Sequence, residues 1–264
     1  MFKKYYFGMI GMGALLALPM LSTAAEAKDA GKAKTPEAVI TERLQQARPE
    51  IQFSDPRPSA IKGLYQVQVT GGPILYVTPE GDKFIAGEVF SIDESGFSRF
   101  EDPYVVEERK RRLASIDPKD TIIFKPKKET KAVVYVFTDV DCGYCRLLHR
   151  QIHTYEDKGK EMPGYSDLGI EIRYLAYPRA GIPSASADKL ITAWCSKDQQ
   201  GALTALKNDQ SVPPASCAKN PVAADFKLGA EVGVNGTPAL WFPDGRLMPG
   251  YMPPEQLAQA LGIN

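Results

Sequence analysis

The sequence predicts an α+β protein of two unequal units: a small antiparallel β-sheet with one helix, then a larger unit organised around a strand–helix–strand core. Three observations carry this expectation. Between residues 64 and 92, short β-branched and aromatic runs alternate with breaks rich in Gly, Pro and Asp, as in a β-meander. Residues 102–114 form a polar stretch in which acids precede bases, as along a connecting helix. Beyond it, the apolar runs 133–138 and 170–176 flank a helical stretch, which is the pattern of a βαβ unit with a parallel strand pair.

At the start of the chain, Lys3 and Lys4 precede a mostly apolar run at 7–21, and Ala25-Glu26-Ala27 offers small residues for cleavage. Residues 1–27 are therefore expected to be a secretory signal; the apolar run is short of the roughly 20 residues that a membrane span needs. No other run is apolar enough to span a bilayer, so the mature chain is expected to be soluble and exported, where disulfides persist. The chain carries 32 basic and 32 acidic residues, and loss of Lys3, Lys4 and Glu26 would leave 30 against 31, a net of −1. That balance gives no electrostatic case for nucleic acid or anionic lipid as a partner.

Residues 28–35 are small and charged, so little order is expected there. A short helical pattern follows from Thr35 or Pro36, with Val39, Ile40 and Leu44 on one face. Strand runs are read at 64–69, 74–78 and 83–86, with a weaker one near 89–92; Gly71-Gly72-Pro73 and Pro79-Glu80-Gly81-Asp82 make the turns. A sheet of this kind, on the order of 70 residues with its helix, buries little apolar surface and leaves edges open. Pairing of two copies edge to edge would answer both problems.

Asp102 can cap the next helix and Pro103 suits its first position; Glu107 and Glu108 beside the bases 109–112 favour a solvated connector over a basic binding patch. The expected division is thus a signal at 1–27, a first unit at 28–100, a linker helix at 101–117 and a second unit at 118–264.

In the second unit the run 133–138 reaches a polar break, and Cys142-Gly143-Tyr144-Cys145 then opens the helix. A cysteine at a helix N-terminus meets unpaired N–H groups and the positive end of the macrodipole, which favour its thiolate, the attacking species in disulfide exchange. Cys145, one turn on, is placed to close or release a short disulfide. Half a zinc site also uses Cys-x-x-Cys, but it needs two further closely spaced ligands, and Cys195 and Cys217 form no second close pair. After the strand 170–176, residues 185–231 are helical and Ala-rich with breaks at Pro213-Pro214 and Pro221. A strand at 239–242, a turn at 243–246, a strand near 246–248 and a helix at 254–261 complete the chain.

The segments FTDVDCGYC, RYLAYPR, GVNGTPA and DGRLMPGYMPP occur in an order that resembles the DsbC/DsbG family of periplasmic disulfide isomerases, closest to its DsbC members. The resemblance covers nearly the whole mature chain and is strongest at 121–254. It implies a thioredoxin-like domain with a helical insertion, a cystatin-like N-terminal dimerisation domain, a linker helix at 103–116 and a V-shaped homodimer. It also implies Cys142 as attacking thiol, Cys145 as resolving thiol, a cis-proline loop at Thr237-Pro238 beside them, and a non-catalytic disulfide between Cys195 and Cys217. In an exported protein such a disulfide is the default, and closing a loop of about 22 residues contributes about 3 kcal/mol on the chain-entropy estimate. Free thiols are the alternative.

One position departs from thioredoxin itself, which carries a buried acid six residues before the first cysteine; here that residue is Val136. His149 and His153 are candidate replacements, although a surface place on the helix is the expectation for His149. The expected function is periplasmic isomerisation of non-native disulfides in exported proteins, with chaperone action, no cofactor and no metal beyond the dithiol itself. A membrane reductase of the DsbD type would keep the pair reduced. A dithiol oxidase or electron-transfer protein, and a holdase chaperone, remain open alternatives.

Overall fold

The computed structural model describes residues 34–263 apart from Ser95; the expected signal at 1–27, its cleavage point and residues 28–33 lie outside the described residues. The first helix, α1 (Pro36–Ala47), begins where Thr35 accepts the Ala38 N–H at 3.4 Å, with Pro36 in the first helical position. Its buried residue Ile40 packs on Val67, Leu75 and Val77 of the sheet beside it. That sheet is antiparallel, in the order β1 (Arg57–Pro58), β2 (Tyr65–Gln68), β3 (Ile74–Val77) and β4 (Phe84–Ala86).

The meander therefore forms, but it stops at β4. The weak run near 89–92 becomes β5 (Phe90–Asp93), which pairs with β6 (Gly96–Arg99) as a separate two-stranded ribbon. A local hairpin closes a shorter loop than a fifth meander strand would, and Gly96 at φ +114° provides the turn backbone that side chains disfavour.

Helix α2 (Pro103–Ala114) starts as expected, with Asp102 accepting the Tyr104 N–H at 2.8 Å and Pro103 at its first position. It is not solvated all round. Arg109 is 6% exposed and donates to the Val232 carbonyl at 2.8 Å, and Leu113 is buried among Tyr135, Val232 and Trp241. The basic run hid this because the long side chains of Arg109 and Arg112 cover apolar surface while their heads find polar partners; Arg112 meets Glu231 at 2.6 Å.

The remaining sheet has the order β13–β12–β8–β11–β7. Its strands are β7 (Ile122–Phe124), β8 (Ala132–Thr138), β11 (Ile170–Ala176), β12 (Ala239–Trp241) and β13 (Leu247–Pro249), with a short outlying hairpin of β9 (Tyr155–Asp157) and β10 (Lys160–Met162). The expected parallel pair is β8 with β11, in register from Ile170 opposite Ala132 to Ala176 opposite Thr138. Every other pairing in this sheet is antiparallel. Successive residues of β8 face opposite sides. Val134 and Val136 enter a core with Leu148, Leu190, Leu203 and Leu257, while Tyr135 and Phe137 enter another with Tyr177 and Trp241.

The covering helices are α3 (Gly143–Arg150), α4 (Ala185–Cys195), α5 (Gln199–Lys207), α6 (Val222–Val232) and α7 (Pro254–Ala260). Cys195, the last residue of α4, is disulfide-bonded to Cys217 ahead of α6, across a sequence separation of 22. Strands β7, β9 and β10 have no counterpart in the sequence expectation.

Helix α6 is tied to β11 by Asp225, 5% exposed, which accepts the Ala176 N–H at 2.9 Å. Burial pushes the Asp225 carboxyl up to about 8. The folded state therefore holds this proton after the unfolded chain has lost it, so stability from this group falls as pH rises from about 4 to about 8. Asp225→Asn keeps an acceptor for Ala176 and has no charge to bury. We expect its melting temperature to exceed that of the parent chain at pH 9, by a stability of up to about 5 kcal/mol, and to match it near pH 4; equal melting at both pH values would refute the assignment.

Candidate active site

Strand β8 delivers the chain to the site and α3 begins there. Cys142 is the N-cap of α3, with its Sγ accepting the Cys145 N–H at 3.4 Å, so the sulfur stands where the helix leaves N–H groups unpaired. Its Sγ also lies 3.2 Å from the Thr237 carbonyl oxygen, which accepts from the thiol form. The Thr237–Pro238 peptide is cis, and that loop leads into β12, the neighbour of β8. Cys142, Gly143, Tyr144, Cys145, Thr237 and Pro238 are therefore brought together as the sequence suggests. Cys142 is only 2% exposed and Cys145 is fully buried, whereas Tyr144 between them is 65% exposed and stacks on Tyr251.

The two sulfurs are strongly unequal. Hydrogen bonding from the Cys145 thiol, with the Cys145 N–H and the Arg179 cation adding to it against burial, holds Cys142 down at about 5. Burial pushes the Cys145 thiol well above the ordinary thiol range. At neutral pH the pair is one thiolate and one thiol, as nucleophilic attack followed by resolution requires. Both are free, while Cys195 and Cys217 are bonded to each other.

Beside the pair, Asp139 is 2% exposed and accepts from Ser186 Oγ at 2.6 Å and from the Arg179 and Asp141 N–H groups at 2.8 Å each. Burial pushes this carboxyl up, but those hydrogen bonds and the Arg179 guanidinium outweigh it and leave it below its ordinary range. Val136, at the position of thioredoxin's acid, is buried in the core.

His149 is not the surface residue expected. It is buried, with Nδ1 3.1 Å from Tyr174 Oη and Nε2 2.9 Å from Thr204 Oγ1, because α5 packs over that side of α3. Burial, with the Lys207 charge, pulls it to about 3, so its imidazole is neutral at physiological pH.

Sequence reasoning also missed Lys207. It is 1% exposed, and its Nζ donates to Thr138 Oγ1 at 2.7 Å and toward the Asp139 carbonyl at 3.4 Å. The available signal was its place four residues after Leu203, on the apolar stripe of α5. Among the described residues no cluster of His, Cys, Asp and Glu side chains could hold a metal ion.

A five-stranded mixed sheet, a Cys-x-x-Cys at a helix N-terminus and a cis-proline loop against the first sulfur define a thioredoxin-like dithiol protein. The thioredoxin-like domain family matches residues 118–262, and the disulfide bond isomerase protein N-terminal domain matches 23–97. Thiol:disulfide interchange protein DsbC of Escherichia coli K12 is 34% identical over 231 residues, covering 88% of this chain and 89% of that one; DsbC of Dickeya dadantii is 35% identical over 232 residues, with the same two shares. A solved disulfide interchange protein from Neisseria gonorrhoeae is 29% identical, covers 56% of this chain and 96% of its own, and has a TM-score of 0.45. The chain belongs to the DsbC family of thiol:disulfide interchange proteins.

Alkylation of the reduced chain followed against pH should label Cys142 alone, with a midpoint near 5. A midpoint in the ordinary range near 8.5, or equal labelling of Cys145, would show that the two sulfurs are not held apart in this way.

Proposed function

We propose that this protein isomerises non-native disulfides in exported proteins through Cys142 and Cys145, as a homodimer in the periplasm. The observation that carries the reading is the Cys142 sulfur at the N-cap of α3, accepting the Cys145 N–H one turn on and lying against the cis Thr237–Pro238 loop. Family membership supports it.

The Cys142 thiolate attacks one sulfur of a substrate disulfide. A Cys142–substrate bond forms, the substrate S–S bond breaks, and the second substrate sulfur leaves as a thiolate that takes up a proton. A substrate thiolate can then attack the substrate sulfur of this mixed disulfide, making a new substrate disulfide and returning Cys142 as thiolate. Alternatively Cys145 attacks Cys142 Sγ, closing the 142–145 disulfide and releasing reduced substrate; a membrane reductase of the DsbD type would restore the dithiol. The backbone at Thr237, beside Cys142, is suited to pair with an extended substrate segment. The chain's own dithiol supplies the redox chemistry, so no external cofactor enters the cycle.

The proposed division is an N-terminal dimerisation domain at 28–100, a linker helix at 101–117 and a catalytic domain at 118–264. A second copy is supported by the small core of the first unit, where Ile40, Val67, Leu75 and Val77 are the buried members, and by its apolar surface. On the edge strand β4, Phe84 and Ile85 are 58% and 63% exposed, and Phe90, Ile92 and Phe97 of β5 and β6 are exposed as well. Apolar side chains of this kind also suit retention of unfolded chains, which is the proposed chaperone activity. Sedimentation of the mature chain should give twice its mass; a monomer would remove the second copy from the proposal.

Refolding of a scrambled multi-disulfide protein tests the reaction. Cys142→Ser should abolish isomerisation, and Cys145→Ala should accumulate mixed disulfides to Cys142. Undiminished refolding by Cys142→Ser would overturn the assignment, and aggregation suppression alone surviving as the whole activity would favour a holdase.

A further inference from the structure

Lys207 is the last residue of α5 and ends a buried stripe that includes Leu203 and Leu206. A buried ammonium is costly unless its surroundings compensate it, and a Met of similar volume would fill the same space without that cost. Its hydrogen bonds go to neutral oxygens, the Thr138 hydroxyl at 2.7 Å and the Asp139 carbonyl at 3.4 Å, rather than to a carboxylate. Those oxygens lie at the end of β8, on the turn that delivers Cys142 and Cys145. The ammonium also sits 5.3 Å from the centroid of the Tyr174 ring. A cation is thus fixed in the protein interior, at the end of the strand that leads to the dithiol.

We propose that Lys207 is a positioning residue for resolution: its fixed ammonium stabilises the Cys145 thiolate as that sulfur attacks the Cys142–substrate disulfide. The inference rests on the dithiol reading above. In this step the Cys145 thiol gives up its proton and the Cys145–Cys142 S–S bond forms. The Cys142–substrate S–S bond breaks, and the departing substrate sulfur takes up a proton to leave as a thiol. Lys207 remains an ammonium throughout, supplying charge and no proton.

The charges around it agree with this role. The Lys207 ammonium acts on Cys145 in the direction that lowers its thiol, against the burial that raises it. Burial lowers Lys207 itself to about 8, and the two cysteines and Asp139 act to raise it, so it is still charged at neutral pH. The other groups facing this space are Arg146 and the neutral His149 of α3 and the phenol of Tyr174 on β11; none of these supplies a negative charge at pH 7. Val136 leaves that position without the acid that thioredoxin carries, and the nearby Asp139 carboxylate is taken up by Ser186 and the N–H groups of Arg179 and Asp141.

The test mixes the reduced full chain with oxidised glutathione, traps samples in acid, and follows the Cys142–glutathione adduct as it forms and as Cys145 releases it, across pH 5–10. Two variants separate charge from hydrogen bonding: Lys207→Met removes both, and Lys207→Gln keeps an N–H donor for Thr138. Expected for both is adduct release about tenfold slower at pH 7, with its pH profile moved up by about one unit, and an unchanged or higher melting temperature. An unmoved release profile in the two variants would overturn the proposal, and so would loss in Lys207→Met with full recovery in Lys207→Gln. Should Lys207→Met fail to fold, Lys207→Gln decides alone. The parent chain tests the underlying reading separately: if it neither forms nor releases the adduct, the dithiol assignment fails first and the role of Lys207 goes with it.

Discussion

The hydrogen bond from the Cys145 N–H to Cys142 Sγ is the contact on which the site depends. It exists because β8 ends beneath the first turn of α3, so the sulfur of the N-cap residue faces the N–H groups that the helix cannot satisfy internally. The sheet holds that geometry from both sides. Parallel pairing with β11 fixes the end of β8, and antiparallel pairing with β12 carries the Thr237–Pro238 loop to the sulfur. Central strands packed on both faces are the least mobile elements of such a fold, and they position the reacting atom.

That same placement makes the two thiols unequal. Cys142 is served first by the Cys145 thiol and then by the helix N–H groups and Arg179, while Cys145, inside the helix and against the core, meets mainly desolvation. Electrostatic compensation then has to come from the surrounding interior. Asp139 spends its charge on Ser186 and the N–H groups of Asp141 and Arg179, fixing the turn rather than moving protons. His149 is neutral and held between Tyr174 and Thr204, so it contributes shape and hydrogen bonds. Lys207 is the interior cation left to act on the second sulfur.

Much of this organisation could be read from residue order. The β8–α3–β11 unit was legible because its strands are unbroken apolar runs and its helix opens with an unusual pair of cysteines. The caps of α1 and α2 were legible because Thr35-Pro36 and Asp102-Pro103 carry local chemistry that needs no tertiary partner. What escaped was set by contacts distant in sequence. Ile122–Phe124 becomes a strand by pairing with Ile172–Tyr174, and the hairpin at Tyr155–Met162 is too polar to announce itself. Arg109, His149 and Lys207 carry the composition of a surface, and each is buried by an element lying elsewhere in the chain: Arg109 meets Val232, His149 meets Thr204 and Lys207 meets Thr138. Polar residues are read as exposed until the partner that covers them is known.

The bridge between Cys195 and Cys217 gives this polypeptide a divided redox life. Maturation of the α4–α6 region calls for an oxidant, whereas service as an exchange catalyst calls for electrons delivered to sulfurs in the same domain. Solvent access would direct those electrons wrongly, since Cys217 is exposed and both members of the other pair are covered. Anion stabilisation at residue 142 works against that preference, because it favours the opened dithiol over the closed ring. One chain can thus hold one pair of sulfurs bonded and another free, with local charge rather than exposure favouring the reduced form at residue 142.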